Sequence, residues 1–425
     1  GDYDGVIHIY NAGGSERINS NFPFDTGGQI WGSAVAGDMD GDDLIDFAIP
    51  SKSKHLYIFD VNGLKLDYET EVYLIGTPAM GNLDGDSNLE IVFSGYSSNN
   101  KLFAINVDGS DVSGFPIELG EKAKAGPALA DFNNNDRDDI VLGTDDNHIY
   151  LILDDGSTAT GFPFVTGDKI QTAPSILEIN SEKTIFAGSN DDYLYAVNSD
   201  GSLQFSFMSE AKIQASPSFL EINGEAAIFF GNNDGYIHGL NMNGAPLPGW
   251  PVVMNGDIEG SVVFSDLDGD GEAEIVAASN TGELGAFFLD GSTYPYFPIL
   301  NGSPYKGSVL IIDLDNDDDL EIMGGSVNNL EVIDVKENGS SANYWHIFRG
   351  NNLRNGFAVL GDSECGADLG DVNGDNEINI LDLVQVANLI LEVSIPDFEC
   401  AADYTQNGEV NILDLVQIAN LILDN

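Results

Sequence analysis

Acidic and amide side chains recur at fixed spacing in short loops along this chain. Five loops carry oxygen-bearing side chains at positions 1, 3, 5 and 9, and they are Asp38/Asp40/Asp42/Asp46, Asn82/Asp84/Asp86/Glu90, Asp131/Asn133/Asn135/Asp139, Asp266/Asp268/Asp270/Glu274 and Asp313/Asp315/Asp317/Glu321. Carboxylates this close repel one another, and a hard divalent cation with six to eight oxygen ligands removes the repulsion. We therefore predict a structural calcium ion in each loop. The alternatives are a solvated acidic turn and an ion that itself contacts a ligand.

The loops belong to a longer repeat that occurs seven times, with first positions roughly 46 residues apart. The fourth and fifth copies, Glu178–Glu182 and Glu221–Glu225, are short and lack an acid at position 9. We expect no ion in these two copies. The repeat length suits one four-stranded blade of a β-propeller.

Each repeat begins with small residues, as in Ser216-Pro217, and continues with two apolar runs and an Asn/Asp-Gly turn. Small residues are expected where blades converge on an axis. The prediction is an all-β, seven-bladed propeller over residues 1–358, with eight blades still possible. Residues 1–28 hold only the second half of a repeat, so we expect them to add outer strands to the last blade. Residues 344–350 are expected to contribute to closure, and the sequence leaves open what precedes Gly1.

In these repeats the chain resembles the FG-GAP or VCBS repeat family over residues 1 to about 356. The resemblance implies an integrin-like propeller that carries calcium in the hairpin loops of its blades.

After the propeller, residues 359–425 form a separate region with two nearly identical segments, 379–391 and 411–423, each preceded by an acidic loop. The ligand positions of the first loop are Asp371, Asn373, Asp375, Asn379 and Asp382, with Glu377 contributing its backbone carbonyl. Those of the second are Asp403, Thr405, Asn407, Glu409, Asn411 and Asp414. Because the second loop has fewer carboxylates, its calcium ion should bind more weakly.

This duplicated region of short calcium loops and helices resembles a dockerin. The resemblance implies a small α-helical, tandem calcium module that binds a cohesin partner. It also implies that partner choice depends on Ile380, Leu381, Ile412 and Leu413. Exposed apolar residues favour a docking face, whereas packing between the two helices or against the propeller is the alternative. Docking onto the chain's own propeller or onto another copy also stays open.

The two cysteines, Cys365 and Cys400, lie in matching contexts just before the two loops. We expect a disulfide between them, with free buried thiols as the alternative. A disulfide and weak calcium loops both favour an oxidising, calcium-rich exterior. The protein is therefore predicted to be secreted or located at the cell surface.

One residue just before each small-residue strand is expected to lie at one mouth of the propeller. Five of these could hold an anionic or polar ligand over the axis, namely Trp31, Lys124, Gln171, Gln214 and Lys306. The alternative is that the lysines bridge acids on adjacent blades.

The formal charge of -55 excludes DNA, RNA and anionic membranes as partners. No Ser/His/Asp signature, zinc-ligand spacing or phosphate-binding glycine loop is present, so catalysis is not indicated. We predict a non-catalytic, calcium-binding adhesion or binding module tethered through its C-terminal region, with a glycan or cell surface as a further possible partner. The alternatives are a subunit of an extracellular assembly or filament, and a propeller enzyme that acts on polysaccharide or uses a quinone. Residues 345–350 contain a Trp-x-x-Phe-Arg-Gly string similar to that of quinoproteins.

Overall fold

Short strands separated by turns make up most of the computed structural model, which describes residues 1–42, 44–97, 100–327, 329–360, 369–374, 378–391, 396, 399–402, 404 and 410–424. The chain divides into two compact units, Gly1–Val359 and Leu360–Asn425. The first unit contains all the strands, and the second contains the helices.

A pair of strands, β1 (Val6–Ile7) and β2 (Phe24–Asp25), precedes seven antiparallel sheets, one for each repeat. Blade 1 consists of β3 (Val35–Gly37), β4 (Asp46–Ser51), β5 (His55–Asp60) and β6 (Gly63–Glu69). Blade 2 consists of β7 (Ala79–Gly81), β8 (Glu90–Ser94), β9 (Lys101–Ile105) and β10 (Ile117–Glu118). Blade 3 consists of β11 (Ala128–Ala130), β12 (Asp139–Gly143), β13 (His148–Ile152) and β14 (Phe164–Val165).

The remaining blades follow the same order of strands. Blade 4 consists of β15 (Ser175–Ile179), β16 (Glu182–Gly188), β17 (Tyr193–Asn198) and β18 (Leu203–Met208). Blade 5 consists of β19 (Ser218–Ile222), β20 (Glu225–Gly231), β21 (Tyr236–Asn241) and β22 (Val252–Val253). Blade 6 consists of β23 (Val263–Ser265), β24 (Glu274–Ala278), β25 (Glu283–Phe287) and β26 (Ile299–Leu300). Blade 7 has three strands, β27 (Leu310–Ile312), β28 (Asp319–Gly325) and β29 (Leu330–Asn338).

The second strands are buried on both faces, as in β8 and β12, where every residue is buried. Each blade packs its two faces against its neighbours, and one apolar cluster joins Val92 and Ala104 of blade 2 to Ile140 and Leu142 of blade 3. This sharing of faces allows a long chain to bury its apolar surface without one large core. The predicted β-propeller is confirmed.

The N-terminal strands differ from the prediction. β1 and β2 pair with each other, and blade 7 contains only β27 to β29 among the described residues. Ile7 and Phe22 pack against Ile49 and Phe59 of blade 1. The expectation that residues 1–28 complete the last blade is therefore wrong, because β1 and β2 form a separate sheet that does not pair with β29 in the described part of the chain.

The segment 345–357, called the axial segment below, contacts the first strand of every blade. Its carbonyl oxygens accept hydrogen bonds of 2.8 to 3.0 Å from the backbone N–H groups of Phe264, Ile311, Ala36, Met80, Leu129 and Ile176. Trp345 meets the ring of Phe219 in blade 5 edge-on, with ring centroids 5.4 Å apart. The segment continues into β30 (Phe357–Val359), which pairs in parallel with β15. One short segment can reach all seven first strands only because they surround a common centre.

The second unit contains α1 (Ile380–Ile390) and α2 (Ile412–Asp424), with a 3-10 turn at Glu399–Ala402 between them. Asn379 caps α1, since its side chain accepts a hydrogen bond from the backbone N–H of Leu381 at 2.8 Å. Val386 and Ile418 are buried against Ala401 and Ala402. Among the described helices, neither is long and apolar enough to cross a membrane.

Candidate metal centres and docking face

The five acidic loops connect the first and second strands of blades 1, 2, 3, 6 and 7. In each loop the acid at position 9 is buried, and one of its oxygens accepts a hydrogen bond from the backbone N–H at position 2. The donor and acceptor residues are Met39 and Asp46 at 3.3 Å, Leu83 and Glu90 at 2.7 Å, Phe132 and Asp139 at 2.9 Å, Leu267 and Glu274 at 2.7 Å, and Leu314 and Glu321 at 2.6 Å. This bond fixes the carboxylate at the base of the loop.

The side chain at position 1 shapes the rest of the loop by accepting hydrogen bonds from later backbone N–H groups. Asp38 accepts from Gly41 at 2.8 Å, and Asp266 accepts from Gly269 at 2.6 Å. Asn82 accepts from Gly85 at 2.7 Å in the same way. Gly41, Gly85 and Gly269 have positive φ values of 73°, 82° and 74°, which glycine adopts without a steric penalty.

These bonds bring carboxylates from three positions together. The acidic oxygens lie within 4.8 Å of one another in the groups Asp38/Asp40/Asp42, Asp84/Asp86/Glu90, Asp266/Asp268/Glu274 and Asp313/Asp315/Glu321. Two ligands of one calcium ion are at most about 5 Å apart, twice the metal–oxygen distance. The clusters therefore have the size of a calcium site. Asp270 and Asp317, at position 5 of their loops, are not members of these four groups.

Buried oxygens without hydrogen-bond partners support the same conclusion. Glu90 Oε1 and Asp268 Oδ1 are buried and accept no hydrogen bond from the described residues. Burial, with smaller contributions from neighbouring acids, raises the pKa of Glu90 to about 7 and that of Glu274 to about 8. A hard divalent cation would satisfy these oxygens and favour the ionised carboxylates, so the residues fit calcium.

Blade 1 contains a cation that the sequence analysis did not predict at this position. The ammonium group of Lys65, in β6, lies 2.8 Å from Asp40 Oδ2 and 2.8 Å from Asp46 Oδ1. Asp46 is fully buried, so Lys65 balances a charge that water cannot reach. The first loop therefore has an internal cation between positions 3 and 9.

The loop of blade 3 uses amides in place of two carboxylates. Asp131 accepts a hydrogen bond from the backbone N–H of Asn135 at 3.2 Å, and Asn133 Nδ2 donates to Asp139 Oδ1 at 3.4 Å. Burial raises the pKa of Asp139 to about 6. The amide oxygens of Asn133 and Asn135 remain suitable as neutral calcium ligands.

Blades 4 and 5 close the same hairpin with two-residue turns. Asn180 and Ser181 have φ values of 52° and 63°, and Asn223 and Gly224 have values of 54° and 77°. Positive φ at both central residues is the geometry of a type I′ turn. A turn this short has no room for ligands at positions 1 to 9.

In the second unit, the acids at position 12 of the calcium loops are buried at the start of the helices. Asp382 accepts hydrogen bonds from the backbone N–H groups of Asn379 at 2.9 Å and Asn373 at 3.3 Å. Asp414 accepts one from Asn411 at 2.9 Å. Asp371 is also buried. The other predicted ligands, Asp375, Glu377, Asp403, Thr405, Asn407 and Glu409, lie outside the described residues.

The predicted docking residues are exposed at equivalent positions of the two helices. Ile380 is 64% exposed, Leu381 58% and Ile412 61%. One turn further along, Val384 and Val416 are also exposed, at 51% and 46%. They extend the same apolar surface, and the sequence analysis did not include them. The side chains of Leu413 and Cys400, and the whole of Cys365, lie outside what the structure describes, so the predicted disulfide stays a prediction.

At the mouth, Gln171 and Gln214 come together. Gln214 Nε2 donates to Gln171 Oε1 at 3.2 Å, and Gln171 Nε2 donates to Asp145 Oδ1 at 2.9 Å. Trp31 is 49% exposed and has the ammonium group of Lys52 4.3 Å from its ring centroid. Lys306 lies 3.9 Å from Glu259, whereas Lys124 makes no ion pair within the described part of the chain. The mouth is a polar surface above an axis that the axial segment fills.

Arg349 of the axial segment is another residue that sequence reasoning missed. It is fully buried and donates to the carbonyl oxygens of Arg354, Pro127 and Gly126. Burial, together with the positive charge of Arg354, lowers the pKa of Arg349 to about 9. This arginine of the quinoprotein-like string binds backbone carbonyls of the propeller itself.

Comparison with known proteins supports both units separately. Residues 369–423 match the family model for the dockerin type I domain, which confirms the predicted dockerin module. The solved structures similar to this chain are β-propeller-like. BamB from Moraxella catarrhalis has a TM-score of 0.55 at 13% identity, over 79% of this chain and 92% of that chain. The computationally designed Ika8 protein has a TM-score of 0.55 at 11% identity, over 78% of this chain and 90% of that chain. A search of curated sequences gave no match.

The dockerin match covers the C-terminal unit, and the structural likeness concerns the fold alone. Dockerin domains bind calcium and cohesin partners, and they occur in extracellular or cell-surface proteins. The match thus supports a calcium-binding module of the extracellular type.

Proposed function

We propose that this chain is a secreted, calcium-loaded β-propeller of the FG-GAP or VCBS type that serves as a non-catalytic adhesion or binding module. Its dockerin unit tethers the propeller to a cohesin-type partner on a scaffold or surface. The observation that carries the proposal is the pair of equivalent exposed apolar positions on α1 and α2, within a unit that matches the dockerin type I domain.

The duplicated surface supports docking over internal packing. Ile380 and Ile412 are largely exposed, while the residues that join the two helices, Val386 and Ile418, are fully buried. The helices thus pack through one set of apolar residues and leave the other set available. Exposed, clustered apolar side chains are typical of protein interfaces.

Calcium is expected to control this surface because the acids of the loops hold the starts of both helices. Asp382 and Asp414 are fully buried and accept backbone hydrogen bonds from the residues that precede α1 and α2. Metal binding to such loops contributes directly to folding. Removal of calcium should therefore disorder the docking surface.

The absence of catalysis is part of the proposal, and the separation of the histidines supports it. Each of the five histidines has its own local partner. His8 contacts Asp2 and Glu16, His55 contacts Asp67, His148 contacts Asp146, His238 is buried beside Asn232, and His346 contacts the carbonyl of Tyr344. They lie in separate parts of the propeller and do not share one site. The axial segment also fills the centre, where a propeller could otherwise hold a cofactor.

Binding to a panel of isolated type I cohesin domains tests the proposal. Calorimetry with the full chain should show binding in calcium and none in EGTA. The double variant Ile380→Asp/Ile412→Asp should weaken binding by about 100-fold or more, because burial of one isoleucine contributes roughly 1.5–3 kcal/mol. Leu391→Ser is the matched control, since Leu391 is 70% exposed at the other end of α1.

Each single variant should lose less affinity for cohesin than the double variant does, if the two helices offer equivalent surfaces. A double variant that binds cohesin like the parent chain, or binding that is equal in calcium and EGTA, would contradict the proposal.

A further inference from the structure

The loop of blade 7 differs from the other acidic loops at position 7. A buried acid, Asp319, occupies this position, whereas Leu44, Asn88 and Arg137 are not acidic and Glu272 is exposed. The second strand also begins earlier in blade 7. β28 starts at Asp319, while β4, β8, β12 and β24 start at the acid of position 9. The register of β28 against β29 shifts between Asp319 and Glu321.

These differences create a second group of carboxylates beside the first. Oxygens of Asp317, Asp319 and Glu321 lie within 4.8 Å of one another, as do those of Asp313, Asp315 and Glu321. Glu321 belongs to both groups. We propose that the loop of blade 7 binds two calcium ions that share Glu321, one with Asp313 and Asp315 and the other with Asp317 and Asp319.

A buried oxygen without a partner independently points to the second ion. Asp319 is only 9% exposed, and its Oδ1 atom is buried with no hydrogen-bond partner among the described residues. Its other oxygen, Oδ2, lies 3.6 Å from the ammonium group of Lys336. A buried carboxylate oxygen without a donor is costly unless a cation binds it.

The charge around Glu321 also exceeds what one ion can offset. Asp334 on β29 is the cross-strand partner of Glu321. Together with the five acids of the two groups it makes six carboxylates, without the exposed Asp318, namely Asp313, Asp315, Asp317, Asp319, Glu321 and Asp334. Lys336 is the basic residue that contacts them, through Asp319 and Asp334. One calcium ion and Lys336 together offset half of these charges. A second calcium ion removes most of the remaining repulsion.

The shared glutamate provides the geometry for two neighbouring ions. Glu321 is 5% exposed, and its Oε2 atom is held by the backbone N–H of Leu314 at 2.6 Å. The carboxylate is therefore fixed between the two pairs of aspartates. A carboxylate can bind calcium through one or both of its oxygens.

This inference rests on the calcium loading in the proposed function, and it adds an ion at a position that the 1, 3, 5 and 9 spacing does not include. Native mass spectrometry of the full chain with excess calcium counts the retained ions. Asp319→Asn should retain one ion fewer than the parent chain, and Asp315→Asn should also retain one fewer. Glu321→Gln should retain two fewer.

Asp318→Asn is the matched control, because Asp318 is exposed and belongs to neither group. Its φ of 71° also suits asparagine. The control should retain the parent number of ions, and circular dichroism should show the same strand content for every variant.

An Asp319→Asn chain with the parent ion count would overturn the inference, as would a Glu321→Gln chain that loses a single ion. In both cases the other loops could still bind calcium, so the proposed function would stand. A parent chain whose propeller retains no calcium would overturn both.

Discussion

The acid at position 9 is held in place in every acidic loop, in a way that suits the proposed calcium site. One oxygen of Glu90 or Glu274 accepts a hydrogen bond from the backbone N–H at position 2, at 2.7 Å in each case. The bond orients the carboxylate, and burial keeps water away from it. A calcium ion would then meet a fixed ligand, and the side chain would lose less conformational entropy on binding than a mobile one.

Glu274→Gln tests this role directly. Glutamine keeps the size of the side chain and removes its negative charge, so the loop of blade 6 should lose its ion. The calcium-dependent part of the free energy of unfolding should fall by about 2–4 kcal/mol, the value of one site at 100 to 1,000 times its Kd. The measurement is chemical denaturation with calcium and with EGTA. Glu272→Gln, exposed at position 7 of the same loop, should change little, and an equal loss in both variants would contradict the account.

A second prediction concerns Lys65 and the stability of the first loop. Lys65→Met leaves the fully buried Asp46 without its cation, which should cost about 3 kcal/mol when calcium is absent. Millimolar calcium should restore much of this stability, because the first loop still has oxygens at positions 1, 3, 5 and 9. Thermal unfolding with and without EGTA measures the difference. Lys101→Met is the control, since Lys101 makes no ion pair among the described residues. A variant that is insensitive to calcium would show that Lys65 does not replace an ion.

Sequence spacing predicted that acids of one loop come together, as Asp84, Asp86 and Glu90 do, but could not predict Lys65. Positions 1, 3, 5 and 9 lie within nine residues, so local backbone geometry is enough to bring them together. Lys65 reaches the loop from β6, three strands away from β3 in the same sheet. Its position depends on strand register, including the irregularity between Ile58 and Phe59, which the sequence does not reveal.

The blades and their order followed from the repeat, because small residues, apolar runs and turns recur in the same sequence. The sequence predicted that residues 344–350 contribute to closure, but it did not predict the course of the axial segment past all seven first strands. Most of these contacts are hydrogen bonds that its backbone carbonyls accept from strand N–H groups as far away in sequence as Ala36. Backbone contacts of this kind impose little restriction on side-chain type, so they leave no signal in the sequence.

Trp345→Ala tests the importance of the axial segment. Trp345 is 6% exposed, and its carbonyl accepts a hydrogen bond from Phe264 while its ring contacts Phe219. Removing the ring leaves a cavity, so the free energy of unfolding should fall by about 3–5 kcal/mol. Urea denaturation provides the measurement. Trp31→Ala should cost below about 1 kcal/mol, because Trp31 is 49% exposed. Similar losses in the two variants would contradict a structural role for the segment.

Across the whole propeller, the two ends of the first strands differ in chemistry. The acidic loops follow β3, β7, β11, β23 and β27, while Trp31, Lys124, Gln171, Gln214 and Lys306 precede the first strands of their blades. The loops and the mouth therefore lie at opposite ends of these strands. The proposed calcium ions at the loop end would join adjacent strands and leave the mouth available for other contacts.

With a net charge of -55, the whole molecule is expected to depend on bound calcium for its stability. Clustered carboxylates destabilise the compact state through mutual repulsion, and several bound ions reduce that repulsion at the places where it is strongest. The stability of the propeller and the order of the dockerin unit should then depend on calcium together.

Thermal unfolding of the full chain in millimolar calcium and in excess EGTA tests the central claim most directly. Several sites that each contribute about 2–4 kcal/mol should raise the Tm by about 10 °C or more in calcium. Magnesium at the same concentration should have a smaller effect, since it requires a tighter octahedral site. The same Tm in calcium and in EGTA would contradict the account.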